Sequence, residues 1–419
     1  MELASFGLHY MRTGESFSFT RVHEQERRTE RDIAQRTKSG TSLPQQKAII
    51  HPYIGNIRNP DHPGIEINVY PEGYIAEEDA IAASQDPGVV IVGLSGASVM
   101  FQLYRYKPAR DILSQQVAEL PKFKGKRVLL VMLTNPGYKQ PQQLFSVANY
   151  LMQGGRLDLL VNLDGKNEVT LPSLNARMGK SPYYPYVWSA FFKAGYTLDD
   201  MEMLESAAKW KRIRGTGLSM IKTLDFSVTA STLWLAADEY FQYRVQQALQ
   251  ASQSDARDLP LYIGGPAMDR AQRDAMPTRI WTQGSLGLQG LAVANGFEYV
   301  HFLQPNQYVP DSKPLSANES HKAFRIGIDE QTVRQYYPLL IEEIPRLREK
   351  GVKVSSLTQV FAGRKETLYI DTCCHLNDQG HRLLALAMAS GIAAELAPPA
   401  PKTENKRPQA DAPKASSAH

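Results

Sequence analysis

The sequence carries a carboxylate and a histidine four residues apart in the stretch YIDTCCHLNDQGHRLLALA, which starts at Tyr369. Asp371 precedes His375, and the apolar positions that follow have the spacing of a helix. A carboxylate can hold Nδ1 of a histidine ring and leave Nε2 free as a general base. Of the nine histidines, His375 has this partner and this setting, whereas His381 lies within the following helix and is a poorer candidate.

A serine that such a base could activate follows a short apolar run. The run GVVIVGL (88–94) leads into Ser95-Gly-Ala-Ser98, and a helical pattern follows. Small residues before a helix let the backbone turn sharply and expose a hydroxyl at the helix N-terminus, where free N–H groups favour a developing oxyanion. Ser98 is the candidate nucleophile and Ser95 the alternative. Taken alone, the motif fits a simple helix N-cap better than a nucleophile.

Two further apolar runs end in residues that can donate N–H groups. In TNPGY (134–138), Gly137 can offer its backbone N–H without a side chain in the way, although an ordinary turn explains the motif equally. In LDGKNEV (163–169), Asn167 can present an amide N–H to an oxyanion, or it can close a local turn. Asp164 and Glu168 are possible metal ligands, but their position favours a supporting role behind Asn167.

The elements that must position these residues alternate between apolar runs and amphipathic stretches. The runs predicted as strands are GVVIVGL (88–94), RVLLVML (127–133), LDLLVNL (157–163), FEYVHFL (297–303) and, more weakly, VKVSSL (352–357). Strands that alternate with helices predict an α/β domain with a mainly parallel sheet of about five strands and helices on both faces. Function in such sheets is located in the loops at the carboxyl ends of the strands.

Composition excludes several classes of protein. The net charge of +4 comes from 47 basic and 43 acidic residues, a mixed balance that does not indicate nucleic-acid binding. The two cysteines are adjacent, which gives neither a disulfide framework nor a metal-binding CxxC. No phosphate-binding glycine motif and no apolar stretch of about 18 residues occurs, so neither nucleotide binding nor a membrane span is predicted.

The two ends of the chain differ from its middle. Residues 1–47 are polar with charges of alternating sign, and they predict a solvated helix or arm. Residues 48–396 form the predicted catalytic domain, with an insertion around 170–295 that carries no recognisable motif. Residues 397–419 are rich in Pro, Ala and Lys and predict a disordered tail.

Taken in order, these blocks resemble the SGNH (GDSL-like) hydrolase superfamily, in which Ser, Gly, Asn and His lie at the ends of successive strands. The resemblance covers roughly residues 85–396, and the matching positions are Ser98, Gly137, Asn167 and His375, with Asp371 as the carboxylate. The phrases GYKQPQQL, LDGKNEV and YIDTCCHLNDQGHRLLALA are similar to a bacterial branch whose members often carry a membrane segment ahead of the catalytic domain. Two departures stand out: the usual Gly-Asp-Ser-Leu is GASV here, and the Asp–His spacing is four rather than three.

The resemblance implies a three-layer α/β/α, flavodoxin-like fold and a serine esterase, an ester hydrolase that removes acyl or acetyl groups, with carbohydrate esters as one candidate substrate. It implies an oxyanion hole built from Ser98, Gly137 and Asn167, and no metal or organic cofactor. The expected partner is a small-molecule or carbohydrate acyl ester, and the oligomeric state stays open. A shortened N-terminus would predict a periplasmic or membrane-attached protein, and a complete one a cytoplasmic protein.

Two other functions fit the same residues. An O-acyltransferase would use the same site with a sugar in place of water as the acyl acceptor. A catalytically silent SGNH-like module would only bind carbohydrate or a partner protein. The GASV sequence and the Asp–His spacing of four are compatible with such a module. The aromatic segment SPYYPYVW (181–188) could stack on sugars in either case, but a packed segment is the simpler interpretation.

Overall fold

The computed structural model describes residues 2–13, 16–37, 48–60, 68–187, 198–224, 226–251 and 268–397. The predicted disordered tail therefore lies outside the described residues, apart from Ala397. The strands are β1 (Ala48–His51), β2 (Gly55–Arg58), β3 (Asn68–Val69), β4 (Ile75–Ala76), β5 (Val89–Gly96), β6 (Arg127–Met132), β7 (Leu159–Asp164), β8 (Glu298–Leu303) and β9 (Lys353–Ser356).

The helices are α1 (Glu2–Thr13), α2 (Phe19–Thr37), α3 (Ala80–Ala83), α4 (Ser98–Arg105), α5 (Lys107–Glu119), α6 (Gln142–Met152), α7 (Lys166–Arg177), α8 (Leu198–Ile221), α9 (Val228–Ala251), α10 (Arg270–Asn295), α11 (Ala317–Lys322), α12 (Ile328–Glu349) and α13 (Asp378–Leu396). No helix of the described residues combines the length and the apolar character that crossing a bilayer requires.

The central sheet has seven strands in the order β3-β4-β6-β5-β7-β8-β9. The five strands from β5 to β9 are mutually parallel, and β4 joins β6 in antiparallel orientation. The predicted mainly parallel α/β sheet is thus confirmed, but the expected number of about five strands was too low. The two additional strands, β3 and β4, have two residues each, which is too short for hydrophobic alternation to reveal them.

Helices cover both faces of the sheet, and successive residues of a strand are therefore buried on alternate faces. Val90 and Val92 of β5 face a core shared with α4, α5 and α13. Val89 and Ile91 face a second core shared with α6, α10 and α12. Every residue of β5 is buried, which explains why this strand is a continuous apolar run instead of an alternating one.

When the parallel strands alone are numbered along the chain, their order is 2-1-3-4-5, the order of flavodoxin-like sheets. The connection from β5 leads to β6 on one side, and the connection from β6 leads back to β7 on the other side of β5. A crevice therefore opens between the carboxyl ends of β5 and β7, where such sheets bind their ligands. The segments that begin at Ser98 and at Lys166 lie at this switch point.

A separate group of helices is built from distant parts of the sequence. α1 and α2, from the predicted polar arm, contact α8 and α9, from the predicted insertion. Asp238 is fully buried there and binds Arg214 at 2.6 Å, while Gln25 of α2 donates to the same carboxylate. The third helix within the bounds of the predicted insertion, α10, instead packs on the sheet next to β8.

Candidate active site

Ser98 is placed at the switch point by an abrupt end of β5. Gly96 has φ +140°, and a Cβ atom there would lie 2.1 Å from the carbonyl oxygen of Leu163, so the chain can pass only with glycine. Thr134 donates a hydrogen bond of 2.5 Å to the Gly96 carbonyl and holds this turn. Ser98 is then the first residue of α4, where backbone N–H groups have no partner within the helix.

His375 reaches Ser98 from a loop 277 residues further along the chain. Its Nε2 lies 2.8 Å from Ser98 Oγ, and its Nδ1 lies 2.5 Å from Oδ2 of Asp371. The other oxygen of Asp371 accepts the backbone N–H groups of Cys373, Cys374 and His375. The four-residue spacing therefore closes as a tight bend around the carboxylate, and the structure brings all three predicted residues into one hydrogen-bonded chain.

The segment that carries this bend is anchored at its base. Tyr369 pairs with Leu376 across the bend. The backbone N–H groups of Leu368 and Tyr369 both donate to Glu319 Oε1, and the other oxygen of Glu319 binds the Lys313 ammonium at 2.7 Å. Both side chains of this ion pair are fully buried, so the base of the bend is fixed by a desolvated charge pair that neither partner can leave without a large cost.

The charges of the Asp371–His375 pair stabilise each other. Burial raises the pKa of Asp371, but the hydrogen bond and positive charge of His375 outweigh it and bring that pKa to about 2. Burial lowers the pKa of His375, but its hydrogen bond to Asp371 and the charges of Cys373 and Asp371 leave that pKa above its usual value. Asp371 thus stays ionised, and it stabilises the imidazolium that forms when His375 accepts a proton.

Gly137 and Asn167 follow the two strands that flank β5. Gly137 has φ +86° in the loop after β6, a conformation that glycine adopts without strain. Asn167 lies in the first turn of α7, and its amide donates 2.8 Å to the carbonyl of Tyr138. This bond fixes the orientation of the amide and uses one of its two N–H donors. Both positions lie at the carboxyl edge of the sheet on either side of Ser98.

Glu168 ties these two segments together. Its Oε1 accepts from the Gln140 backbone and the Gln143 side chain, and its Oε2 accepts from the Gly165 N–H. The side chain is fully buried, and burial together with the nearby Asp164 raises its pKa to about 8. Both oxygens of this carboxyl group accept N–H groups of the protein, so Glu168 links the segments that carry Gly137 and Asn167.

Two buried lysines beside the site carry no feature that sequence patterns could distinguish from surface lysines. Lys166 forms a 3.0 Å ion pair with Asp329 at the start of α12. Lys139 is fully buried near Glu168, and burial lowers its pKa to about 7. Lys166 directly precedes Asn167 in the sequence, and Lys139 follows Gly137 by two residues. The partner of Lys166 comes from a distant segment and the low pKa of Lys139 comes from burial, so neither property could be inferred from the sequence.

The adjacent cysteines form part of the bend. Their Sγ atoms lie 2.8 Å apart, and Cys373 is partly exposed whereas Cys374 is buried. The hydrogen bond from Cys374, with a smaller contribution from the Lys166 charge, lowers the pKa of Cys373 to about 7 against the opposing effect of burial. With His375, the two thiols are the one group of ligand-type atoms, among the described residues, close enough to hold a metal ion.

A second Ser–His–Asp chain lies beneath the first and serves as a contrast. Ser285 Oγ lies 2.9 Å from His301 Nδ1, and His301 Nε2 lies 2.7 Å from Asp164 Oδ1, which also accepts from Trp281. The side chains of His301 and Asp164 are 0% and 1% exposed, whereas 20% of His375 is exposed. Substrate has no access to Ser285, so this chain stabilises the end of β7 and α10.

The two alternative residues considered from the sequence are also buried. Ser95 is 0% exposed within β5, and its hydroxyl has no partner among the described residues. His381 is 4% exposed in the first turn of α13, and burial lowers its pKa to about 4. Neither side chain takes part in the chain that links Ser98 to Asp371.

The aromatic segment after α7 borders the site. Val187 Cγ1 would lie 3.1 Å from a Cβ atom at Gly137, so the described part of the segment packs against the Gly137 loop. Asn175 of α7 holds the segment in place by donating to the carbonyls of Ser181 and Tyr184. Trp188 lies outside the described residues. A cavity of about 430 Å³ between α7, α10 and α12 does not include Ser98 or His375 in its lining.

Comparisons with protein-family models and with curated protein sequences gave no match. The interpretation of the site therefore depends on its geometry and on the sequence motifs.

Proposed function

We propose that the chain is a serine ester hydrolase with Ser98 as nucleophile, His375 as general base and Asp371 as the carboxylate that orients the imidazole. The observation that carries this proposal is the partly exposed chain of hydrogen bonds from Ser98 through His375 to Asp371, with heavy-atom distances of 2.8 and 2.5 Å. The 2.8 Å between His375 Nε2 and Ser98 Oγ lies in the range over which a base can take a proton from a nucleophile. The resemblance to SGNH hydrolases supports the same assignment.

In the proposed reaction, His375 Nε2 accepts the hydroxyl proton while Ser98 Oγ attacks the ester carbonyl carbon. The carbonyl oxygen becomes an oxyanion that accepts N–H groups from Ser98, Gly137 and Asn167. The imidazolium then returns its proton to the leaving alcohol oxygen as the C–O bond breaks, which leaves an acyl group on Ser98. A water molecule, deprotonated by His375 in turn, releases the carboxylic acid and restores the serine.

The exposure of the site favours water over a sugar as acyl acceptor. The side chains of His375 and Asp371 are 20% and 43% exposed, so solvent reaches the base directly. An acyltransferase needs to keep water away from its acyl-enzyme, and this exposure argues against it. A silent binding module would have no need of the short Ser98–His375–Asp371 geometry.

A fluorophosphonate probe and short-chain aryl esters test the proposal. The purified protein should be labelled at Ser98 and should hydrolyse the esters, and Ser98→Ala should lose both properties. Ser95→Ala is the matched control, because it removes a buried hydroxyl with no hydrogen-bond partner among the described residues and should leave both intact. Ser285→Ala, in the buried chain, should still be labelled. A folded wild-type protein that neither reacts with the probe nor turns over esters would refute the proposal.

A further inference from the structure

A hairpin that precedes the central sheet packs against the segment that follows Gly137. β1 pairs with β2 in antiparallel orientation, and β2 ends at Arg58. The hydroxyl of Tyr138 donates to the carbonyl of Asn56, and the Gln142 side chain donates 3.0 Å to the carbonyl of Ile54. Both donors lie in the segment directly after Gly137. The hairpin is therefore fixed to the loop that supplies one proposed oxyanion donor.

Arg58 lies over the helical face that carries the nucleophile. Its guanidinium carbon is 5.8 Å from the centre of the Phe101 ring. Phe101 and Arg105 follow Ser98 by three and seven residues in α4, so all three side chains lie along one face of the helix. Residues three apart on a helix have Cβ atoms about 5–6 Å from each other. Phe101, whose ring lies under the Arg58 guanidinium, is thus about one helical turn from Ser98.

The charge of Arg58 is not neutralised by any described residue. Its Nε atom is buried and has no hydrogen-bond partner there. Burial, and then the positive charge of Arg105, lower the pKa of Arg58, and no carboxylate acts in the opposite direction. A half-buried guanidinium beside a second cation is costly in the absence of an anion, because its donors lose water without gaining an acceptor. The nearby lysine on the other side, Lys166, already has Asp329 as its partner.

We propose that Arg58, assisted by Arg105, binds a carboxylate group of the substrate, so that the preferred esters are negatively charged. This inference rests on the proposed hydrolase function and narrows it to a substrate class. A guanidinium binds a carboxylate through two parallel N–H donors, which fixes both the position and the orientation of the group. Held over the Phe101 ring, on the helical face that begins with Ser98, such an anchor would align the ester carbonyl with the nucleophile.

Two pairs of aryl esters test this inference, because the carboxylate can be in either part of the ester. Mono-4-nitrophenyl succinate against 4-nitrophenyl butyrate places the charge in the acyl group. 4-Acetoxybenzoate against its methyl ester places the charge in the leaving group. The measured quantity is the ratio of kcat/KM for the charged ester to that for the neutral one. Comparing this ratio between variants cancels the intrinsic difference in reactivity between the two esters.

In at least one pair, the ratio should fall about tenfold to a hundredfold in Arg58→Gln, mainly through KM, since a hydrogen-bonded charge is lost. Arg58→Lys should retain most of the preference because it keeps the charge. Raising the ionic strength should lower the wild-type ratio. Arg346→Gln is the control of equal charge change: this exposed arginine lies in the last turn of α12, where it pairs with Glu343, and the ratio should not change.

Three outcomes separate the possibilities. Hydrolysis of neutral and charged esters with equal ratios in wild type and Arg58→Gln would overturn the inference and leave the proposed function standing. No hydrolysis of any ester by folded protein would overturn the proposed function and the inference together. If Arg58→Gln does not fold, the wild-type protein decides: a ratio that exceeds that of alkaline hydrolysis in neither pair of esters, or that does not fall as the ionic strength is raised, would equally overturn the inference.

Discussion

Replacing Asp371 by asparagine changes one atom and reverses the hydrogen bonding of the proposed base. Oδ1 of Asp371 accepts three backbone N–H groups, so the carbonyl oxygen of an asparagine would keep that position. The new amide N–H₂ would then face His375 Nδ1, where Oδ2 now lies at 2.5 Å. Nδ1 must accept instead of donate, which places the ring proton on Nε2, the atom that faces Ser98. A protonated Nε2 cannot take the serine proton.

The expected loss of activity can be worked out from the two arrangements that would leave His375 Nε2 unprotonated in Asp371→Asn. Turning the amide round would set its N–H₂ against three backbone donors and lose three hydrogen bonds, each worth about 0.5–1.5 kcal/mol. Keeping the amide in place and moving the ring proton back to Nδ1 sets two donors against each other, at about 1–3 kcal/mol. In either arrangement, Asp371→Asn also loses the carboxylate charge that stabilises the imidazolium. We expect kcat/KM to fall about 10³–10⁴-fold, or about 4–5.5 kcal/mol.

The pH profile gives a second, independent measurement on the same variant. The wild-type base must be neutral, so activity rises with pH through the pKa of His375, which lies above its usual value. In Asp371→Asn that pKa falls, because the hydrogen bond and charge of the carboxylate are removed. The acid limb of kcat/KM should therefore move to lower pH while the plateau drops. A merely destabilised protein would lose activity without this shift.

Aryl-ester kinetics and circular dichroism on purified protein suffice for the test. Asp378→Asn is the control, because this exposed carboxylate lies in the first turn of α13, three residues after His375, and takes no part in the chain. It should retain full activity. A folded Asp371→Asn protein with near wild-type kcat/KM would refute the assignment of Asp371 and of the tautomer it imposes on His375.

The remaining predictions concern three neighbouring side chains. Asn167→Ala should lower kcat about 10²–10³-fold with a smaller change in KM, measured by aryl-ester kinetics, because an oxyanion donor acts chiefly in the transition state. Glu168→Ala should lower the free energy of unfolding in urea by about 1–3 kcal/mol, because it leaves the buried N–H groups of Gln140 and Gly165 without an acceptor. Iodoacetamide should alkylate Cys373 at pH 7.5 about tenfold faster than an ordinary thiol, followed by mass spectrometry, with parallel loss of activity. Cys374→Ala removes the donor to Cys373, raises the pKa of that thiol and should slow the alkylation.

The sheet could be predicted from the sequence because its strands are buried on both faces. The five apolar runs chosen from the sequence are β5 to β9, with bounds that differ by one or two residues. Burial on both faces makes each run almost wholly apolar, and that signal is local. β3 and β4 carry no such signal, because their pairing partners are fixed by tertiary contacts and not by their own residues.

The chemistry of the site was predictable only where it lies within a short stretch of sequence. Asp371 and His375 stand close enough in the chain for their partnership to be inferred, although a spacing of four made the carboxylate less certain. The structure accounts for the spacing, because three N–H groups close the bend around Asp371. Arg58 and Glu319 gave no signal in the sequence, because the residues that reveal their positions, Phe101 and Leu368, lie more than 40 positions away in the chain.

In the cluster DGKNE after β7, the polar residues beside the proposed oxyanion donor Asn167 bind other parts of the protein. Asp164 is held by His301 and Trp281, Lys166 by Asp329, and Glu168 by three N–H donors. Each of these side chains thus already has hydrogen-bond or ion-pair partners within the protein. Asn167 is different: one amide hydrogen is bound by the Tyr138 carbonyl and fixes its direction, and the second remains for a ligand. A donor that must meet a transient oxyanion needs neighbours that hold the backbone still, because misplacement by about 1 Å costs about 10² in rate. The residues around Asn167, each held by partners within the protein, meet that requirement, which is why Glu168→Ala should affect turnover as well as stability.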